Sequence, residues 1–316
     1  MNPKTLYLVL PCYNEADVIL ETAKRLQAKL SFLMEHRLIS KKSKVLFVND
    51  GSTDQTWTLI KNLHQYNKTF SGLNLTRNCG HQQALLAGLM VAKDQCDFII
   101  SMDADLQDDI DVISEMVVKY HAGSDIVYGV REDRKADTGF KRITATLFYK
   151  CFKGLGGEIV PHHADFRLMS QRALMSLSEF QEVNLFLRGL VPLLGYDDDI
   201  VYYTRAKRIA GKSKYPMKKM LAFAIEGITS FSIKPLRFIF LLGLLFFTVS
   251  IIFGIYFIVD YFRGNTVSGW ASLIVSIWTI GGLQLLAIGI IGEYIAKTYL
   301  ETKQRPRYLV KEFLHE

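Results

Sequence analysis

Two stretches near the C-terminal end, Phe238 to Val259 and Gly264 to Gly292, contain no charged residue over 22 and 29 consecutive positions. A bilayer's hydrocarbon core is crossed by a helix of about 20 predominantly apolar residues, so each stretch is long enough to span. Spans are expected at about 236–260 and 267–292, within 234–296. Lys234 and Arg237 precede the pair, and Lys297, Lys303, Arg305, Arg307 and Lys311 follow it, whereas the connecting loop holds only Asp260 and Arg263. The bias of basic residues toward the cytoplasm places both ends of the pair there, with 297–316 as a basic cytoplasmic tail. Gly281, Gly282, Gly289 and Gly292 give the second span small-residue faces that permit packing against another helix. Ahead of the first span, Met217, Leu221, Ala224, Ile225 and Ile228 recur at helical spacing with Lys218 and Lys219 off that face. Residues 216–233 are therefore expected as an amphipathic helix on the membrane surface; a core-facing helix has the same pattern, and the nearby span favours the surface.

Residues 1–215 follow another rhythm, in which short apolar runs alternate with amphipathic segments. Leu6 to Leu10 precedes a helix near Ala16 to Met34, Lys44 to Val48 precedes Gln55 to Gln65, and Leu73 to Thr76 precedes His81 to Ala92. Phe98 to Met102, Ile110 to His121 and Ile126 to Val130 continue it. Such alternation predicts an α/β domain with a mostly parallel sheet and helices on both faces. Beyond it the pattern is irregular: a helix near Phe140 to Phe152, a strand at Phe166 to Met169, helices near Gln171 to Leu177 and Asn184 to Leu194, and an extended run at Ile200 to Arg205.

Composition excludes several classes. With 49% hydrophobic and 22% charged residues the chain is neither disordered nor collagen-like. Its four cysteines, Cys12, Cys79, Cys96 and Cys151, form no C-x-x-C pair, so no zinc cluster or dithiol motif is written, and reduced thiols are expected. Leu6 to Leu10 is too short for a signal peptide and is broken by Pro11, Asn14 and Glu15, so this domain is expected to stay where it is made. The net charge of +7 concentrates beside the spans, which points to anionic headgroups rather than nucleic acid.

The most informative segment is Ile99-Ile100-Ser101-Met102-Asp103-Ala104-Asp105-Leu106-Gln107-Asp108, an apolar strand ending in two carboxylates one residue apart. At the carboxyl end of a strand, where open α/β sheets bind ligands, such a pair can hold a hard divalent cation that also grips phosphate. Three more strands end in polar clusters: Pro11-Cys12-Tyr13-Asn14-Glu15, Asn49-Asp50-Gly51-Ser52-Thr53-Asp54 and Arg77-Asn78-Cys79-Gly80-His81. Each alone would serve as a turn or helix cap. Four together on one edge of one sheet point to a site.

With these residues the chain resembles the family 2 glycosyltransferases of the GT-A fold. Asp165-Phe166-Arg167-Leu168-Met169 and Arg208-Ile209-Ala210-Gly211-Lys212-Ser213-Lys214-Tyr215-Pro216, followed by the surface helix and the helix pair, are similar to the polyprenyl-phosphate glycosyltransferase branch. That branch includes dolichyl-phosphate mannose synthases and bacterial undecaprenyl-phosphate glucosyl, N-acetylhexosaminyl and aminoarabinosyl transferases, and the likeness covers essentially the whole chain. It implies inverting transfer from a nucleoside-diphosphate sugar, with UDP favoured over GDP by likeness to the bacterial enzymes, to a polyprenyl phosphate such as undecaprenyl phosphate. The nucleotide sugar would be bound by Pro11, Tyr13, Glu15, Asp50, Ser52 and Asp103, and a Mg²⁺ or Mn²⁺ by Asp103, Asp105 and Gln107, all oxygen donors as a hard cation requires. Asp105, Asp165 and Arg208 are implied as catalytic, and Arg131, Lys141, Arg208 and Ser213 as the grip on acceptor phosphate, although Lys141 stands where some members carry Arg. Asp165 would orient a sugar hydroxyl or the acceptor; a carboxylate paired internally with Arg167 is the structural alternative. The resemblance further implies a homo-oligomer in the cell membrane, multi-pass, with both termini cytoplasmic.

Other readings fit less well. Gly211-Lys212-Ser213 lacks the earlier glycine of a P-loop, and Gly154-Leu155-Gly156-Gly157 lacks dinucleotide-binding spacing. His162-His163 has no second pair at helical spacing and suits a polar loop. A processive polysaccharide synthase would share the nucleotide site, but its Gln-x-x-Arg-Trp motif is absent. A non-catalytic membrane scaffold would not need intact Asp103, Asp105 and Gln107.

Overall fold

A computed structural model of the chain describes residues 3–131, 163–182, 186–204, 234–263 and 270–315. Those up to 204, together with 305–315, form one compact unit; 234–263 with 270–304 form a second.

The first unit is built on strands β1 (Leu6–Cys12), β2 (Lys44–Asn49), β3 (Phe70–Leu75), β4 (Phe98–Ser101), β5 (Ile126–Arg131), β6 (His163–Ser170), β7 (Asp198–Tyr203) and β8 (Val310–Leu314). Its helices are α1 (Ile19–Glu35), α2 (Thr56–Tyr66), α3 (His81–Ala92), α4 (Val112–Ala122), α5 (Gln171–Ser178) and α6 (Leu187–Leu193). The strands form one sheet in the order β7-β5-β6-β4-β1-β2-β3-β8. The pairs β1–β2, β1–β4, β2–β3 and β5–β7 are parallel, while β6 runs antiparallel between β4 and β5 and β8 antiparallel to β3. This is the expected GT-A-type α/β architecture with a mostly parallel sheet. The physical reason is legible in β1, every residue of which is buried: a strand covered on both faces needs an unbroken apolar run, and parallel strands need helical crossovers on both faces to supply that cover. Helix α1 supplies part of it, burying Ile19, Ala23, Leu26, Leu30 and Leu33 along one stripe.

The first five strands and four helices fall close to the expected segments. Because β1 to β4 are parallel, their carboxyl ends at Cys12, Asn49, Leu75 and Ser101 share one edge. The expected helices near Phe140 to Phe152 and over 216–233 lie outside the described residues.

The C-terminal segment holds a strand that its basic composition conceals. Val310–Leu314 pairs with β3 in the register Gly72↔Leu314, Leu73↔Phe313 and Asn74↔Glu312. Lys61 meets Glu312 at 2.9 Å, Lys44 Nζ donates to the His315 carbonyl at 2.6 Å, and Arg307 Nη1 donates to the Phe180 carbonyl at 3.0 Å. A half-exposed edge strand needs no continuous apolar run, so its signal is weak, and its charges suit an edge.

The second unit consists of α7 (Lys234–Phe262) and α8 (Trp270–Thr302), 29 and 33 residues long. Both are long and apolar enough to cross a membrane, and among the described residues their most apolar windows bury no side chain. Phe238, Phe240 and Leu285 are 66%, 69% and 72% exposed, an apolar surface that water tolerates poorly. A Cβ built at Gly281, Gly282, Gly289 or Gly292 would meet nothing within 4 Å among the described residues, so these faces are open.

Candidate active site at the carboxyl edge of the sheet

The loops after β1 and β2 clasp each other. Asn14, at φ +54°, donates its amide to Ser52 Oγ at 3.0 Å and accepts the Thr53 amide on Oδ1 at 2.9 Å. Asp54 accepts the Thr56 amide at the start of α2 at 2.9 Å and the Ala16 amide at 3.2 Å. Pro11 is buried at the edge, while Tyr13 is 39% exposed beside this clasp. Ser52 thus has a structural task as well as the nucleotide contact expected of it.

Asp50 does similar work for the loop after β3. It is buried and accepts the Cys79 and Gly80 amides at 2.7 and 3.0 Å, one on each oxygen. Burial pushes its carboxyl up, and the two amides oppose that shift. Each carboxylate oxygen retains further acceptor capacity.

The acidic loop after β4 is held from several sides. Thr22 Oγ1 donates to the Ala104 carbonyl at 2.9 Å, and Asp105 Oδ1 accepts the Gln107 amide at 3.2 Å. Leu106 between them takes the left-handed conformation at φ +56° with its side chain buried. Such a backbone costs a non-glycine residue about 1–2 kcal/mol, so the surrounding contacts fix it. Burial, then the charges of Asp108, Asp165 and Asp105, push Asp103 up to about 6, with His81 opposing. Crowded carboxylates, the side-chain amide of Gln107 and a carboxyl reluctant to ionise fit a divalent cation, which would relieve the repulsion. Among the described residues no group of three or more His, Cys, Asp or Glu side chains is placed to hold a metal ion.

Asp165, near the start of β6, the antiparallel neighbour of β4, is 7% exposed. It does not pair with Arg167. Arg188, on α6, grips it through Nε at 3.1 Å and Nη2 at 3.0 Å, and His81 Nε2, at the start of α3, donates at 3.2 Å. Burial opposes its ionisation, but Arg188 and His81 hold it well below the usual carboxylate range. His81 also faces Asp103 Oδ1 at 3.7 Å. Burial lowers the imidazole, yet the Asp165 hydrogen bond and the Asp103 charge outweigh it and raise His81 to about 9. An imidazolium therefore stands between the two carboxylates at neutral pH.

Removing Arg188 should destabilise the protein. Breaking a buried ion pair costs about 3–5 kcal/mol; Arg188 is 41% exposed, so with solvent screening we expect about 2 kcal/mol for Arg188→Ala. Urea unfolding of this unit measures it, and an unchanged midpoint would show that His81 alone suffices for Asp165.

Arg131 ends β5 in register with Tyr203 at the end of β7. Its Nε donates to Tyr203 Oη at 3.1 Å, and Nη2 lies 3.6 Å from Asp108. Lys141, Arg208 and Ser213 lie outside the described residues. Sequence patterning assigns no role to His81, Arg188, Asp108 or Tyr203. His81 lies within the polar cluster after β3 and Asp108 within the acidic segment, but nothing local marks Arg188 or Tyr203.

The sequence matches the family profile described as Glycosyl transferase family 2 over residues 7–177. A Bacillus subtilis (strain 168) protein named uncharacterized glycosyltransferase YkoT is 53% identical over 305 residues, covering 96% of this chain and 90% of that one. The bactoprenol glucosyl transferase of Shigella phage SfV is 40% identical over 309 residues, covering 96% of this chain and 97% of that one. Among solved structures, mannosyltransferase PcManGT from Pyrobaculum calidifontis, in complex with GDP-Man and Mn²⁺, is similar at a TM-score of 0.47 and 19% identity, over 71% of this chain and 61% of that chain.

Proposed function

The chain belongs to glycosyl transferase family 2, and we propose that it transfers a sugar from a nucleoside diphosphate, UDP in preference to GDP, to a polyprenyl phosphate at the cytoplasmic face of the cell membrane. The observation that carries the acceptor is the end-to-end similarity to the phage bactoprenol glucosyl transferase, bactoprenol being a polyprenol, in a chain whose own sequence supplies two helices long and apolar enough to cross a membrane.

Strand β8 supports an out-and-back course for those helices. It follows them in sequence yet joins the same sheet as β1 to β7. A single crossing would leave one sheet divided between two sides of a bilayer; two crossings do not.

The chemistry follows from the residues. Asp50, Ser52, Pro11, Tyr13 and Glu15 would cradle the nucleotide at the clasped loops. Asp103, Asp105 and Gln107 would hold a Mg²⁺ or Mn²⁺, which when bound supplies Lewis-acid relief of the charge on the departing nucleoside diphosphate. The acceptor phosphate is already ionised, so its oxygen attacks the anomeric carbon without a strong base, the carbon–oxygen bond to the diphosphate breaks, and the configuration inverts. Positioning then dominates catalysis. Arg131, with Lys141, Arg208 and Ser213, would bind the acceptor phosphate, and Asp165 would orient the sugar or acceptor from its fixed place against Arg188 and His81.

The test is incubation of purified, detergent-solubilised protein with undecaprenyl phosphate, Mg²⁺ or Mn²⁺ and a panel of nucleotide sugars, followed by mass spectrometry of the lipid fraction. A gain of one sugar unit that disappears on chelation is expected. Polymer, or no lipid product despite nucleotide binding, would overturn the reading.

A further inference from the structure

We propose that Tyr203 is a positioning residue that presents Arg131 to the acceptor. This rests on the reading of Arg131 as a ligand of acceptor phosphate. An arginine at the end of a strand has a long side chain whose rotamers must be fixed before it can bind phosphate bidentately, and ordering it only at the moment of binding weakens affinity. Tyr203 and Asp108 fix it beforehand.

Tyr203 Oη accepts from Arg131 Nε at 3.1 Å and donates its own proton to Asp108 Oδ1 at 2.6 Å. Asp108 Oδ1 also lies 3.6 Å from Arg131 Nη2. Asp108 is buried, whereas the Arg131 side chain is 28% exposed. The hydroxyl and carboxylate thus engage the guanidinium through Nε and Nη2, while the side chain as a whole keeps part of its surface exposed. The same loop carries the proposed metal ligands, with Asp108 Oδ2 facing the Asp103 amide at 3.5 Å, so the acceptor cation is referenced to the donor site.

The Tyr203 ring alone does not require the hydroxyl. It is buried and packs edge-on against Phe166, with ring centroids 5.4 Å apart at 87°, a contact phenylalanine would keep. Tyr203→Phe therefore removes the hydroxyl's hold on Nε and keeps the ring packing.

The experiment is steady-state transfer to undecaprenyl phosphate by full-length wild type, Tyr203→Phe, Arg131→Ala and the double variant, with nucleotide affinity measured by calorimetry for each. Tyr203→Phe should raise KM for the lipid about tenfold, the scale of one hydrogen bond to a charged group, with donor KM and nucleotide affinity unchanged. In the Arg131→Ala background it should add nothing. Equal shifts in donor and acceptor KM, or additive effects in the double variant, would overturn the proposal. Should Arg131→Ala raise the lipid KM while Tyr203→Phe does not, the proposal fails and the acceptor reading stands. Should Arg131→Ala leave lipid KM untouched, the acceptor reading fails and takes the proposal with it. If the phenylalanine variant does not fold, Asp108→Asn, which keeps the size and removes the charge facing Nη2, tests the same grip by the same split in KM.

Discussion

Asp103→Asn should lower sugar transfer by about 10³-fold or more, the scale on which loss of one preorganised electrostatic contact slows a transition state, while leaving a protein that is more stable without metal. The two effects have one origin. Burial and the charges of Asp108, Asp165 and Asp105 raise the Asp103 carboxyl to about 6, above the value of about 4 expected in the unfolded chain. A carboxyl whose folded pKa is raised opposes folding when ionised. Below pH of about 4 it is neutral in both states and contributes nothing; between about 4 and 6 the folded state binds more protons, so wild-type stability falls as pH rises. Asparagine escapes that loss. In EDTA the variant should therefore melt above wild type at pH 7, and the two should converge toward pH 4. A catalytic defect accompanied by a raised melting temperature separates lost chemistry from unfolding. Near-normal turnover would remove Asp103 from the proposed diphosphate site, and a variant that melts below wild type at pH 7 would contradict the crowding.

Gly51→Ala should cost about 4 kcal/mol and abolish nucleotide binding. Gly51 sits at φ +62°, and a Cβ there would lie 2.4 Å from the Asn78 nitrogen and 2.5 Å from the Arg77 carbonyl carbon. The obstacle is backbone, which cannot swing aside as a side chain can, so the loop after β3 must move. That loop donates the Cys79 and Gly80 amides to the neighbouring Asp50, and displacing it leaves a buried carboxylate short of its partners. Gly195→Ala is the control: φ is +66°, but nothing lies within 4 Å of the added methyl, so only the conformational cost of about 1–2 kcal/mol applies. Thermal unfolding and calorimetric titration with UDP compare the pair. Equal costs at the two positions would show that the β2 and β3 loops are not packed as tightly as the geometry requires.

These sites also show how far the sequence reaches. Leu6–Cys12 and Phe98–Ser101 are readable as buried strands because an apolar run bounded by turn residues is a local signal. The acidic loop, the Asp50 turn and the two charge-free stretches are local in the same sense, and parallel strand–helix alternation already brings the ends of β1 to β4 to one edge. The edge strand Val310–Leu314 carries no such local signal, because its partner β3 lies far back in the chain and its own composition is that of a tail. Asp165 is the instructive residue: sequence places a carboxylate two positions from Arg167, yet its partners are Arg188, 23 residues away, and His81, 84 away. Tyr203 and Asp108 are separated by 95 residues. For β1 to β5 and the helices between them, the sequence by itself determined which elements form, in what order, and which chemical groups stand at the strands' carboxyl ends, since periodicity, turn chemistry and hydrophobic length act over a few residues. Only the tertiary structure decided which of those groups meet, because strand order brings β6 between β4 and β5 and β7 beside β5, and that order is set by packing the whole sheet rather than by any segment within it.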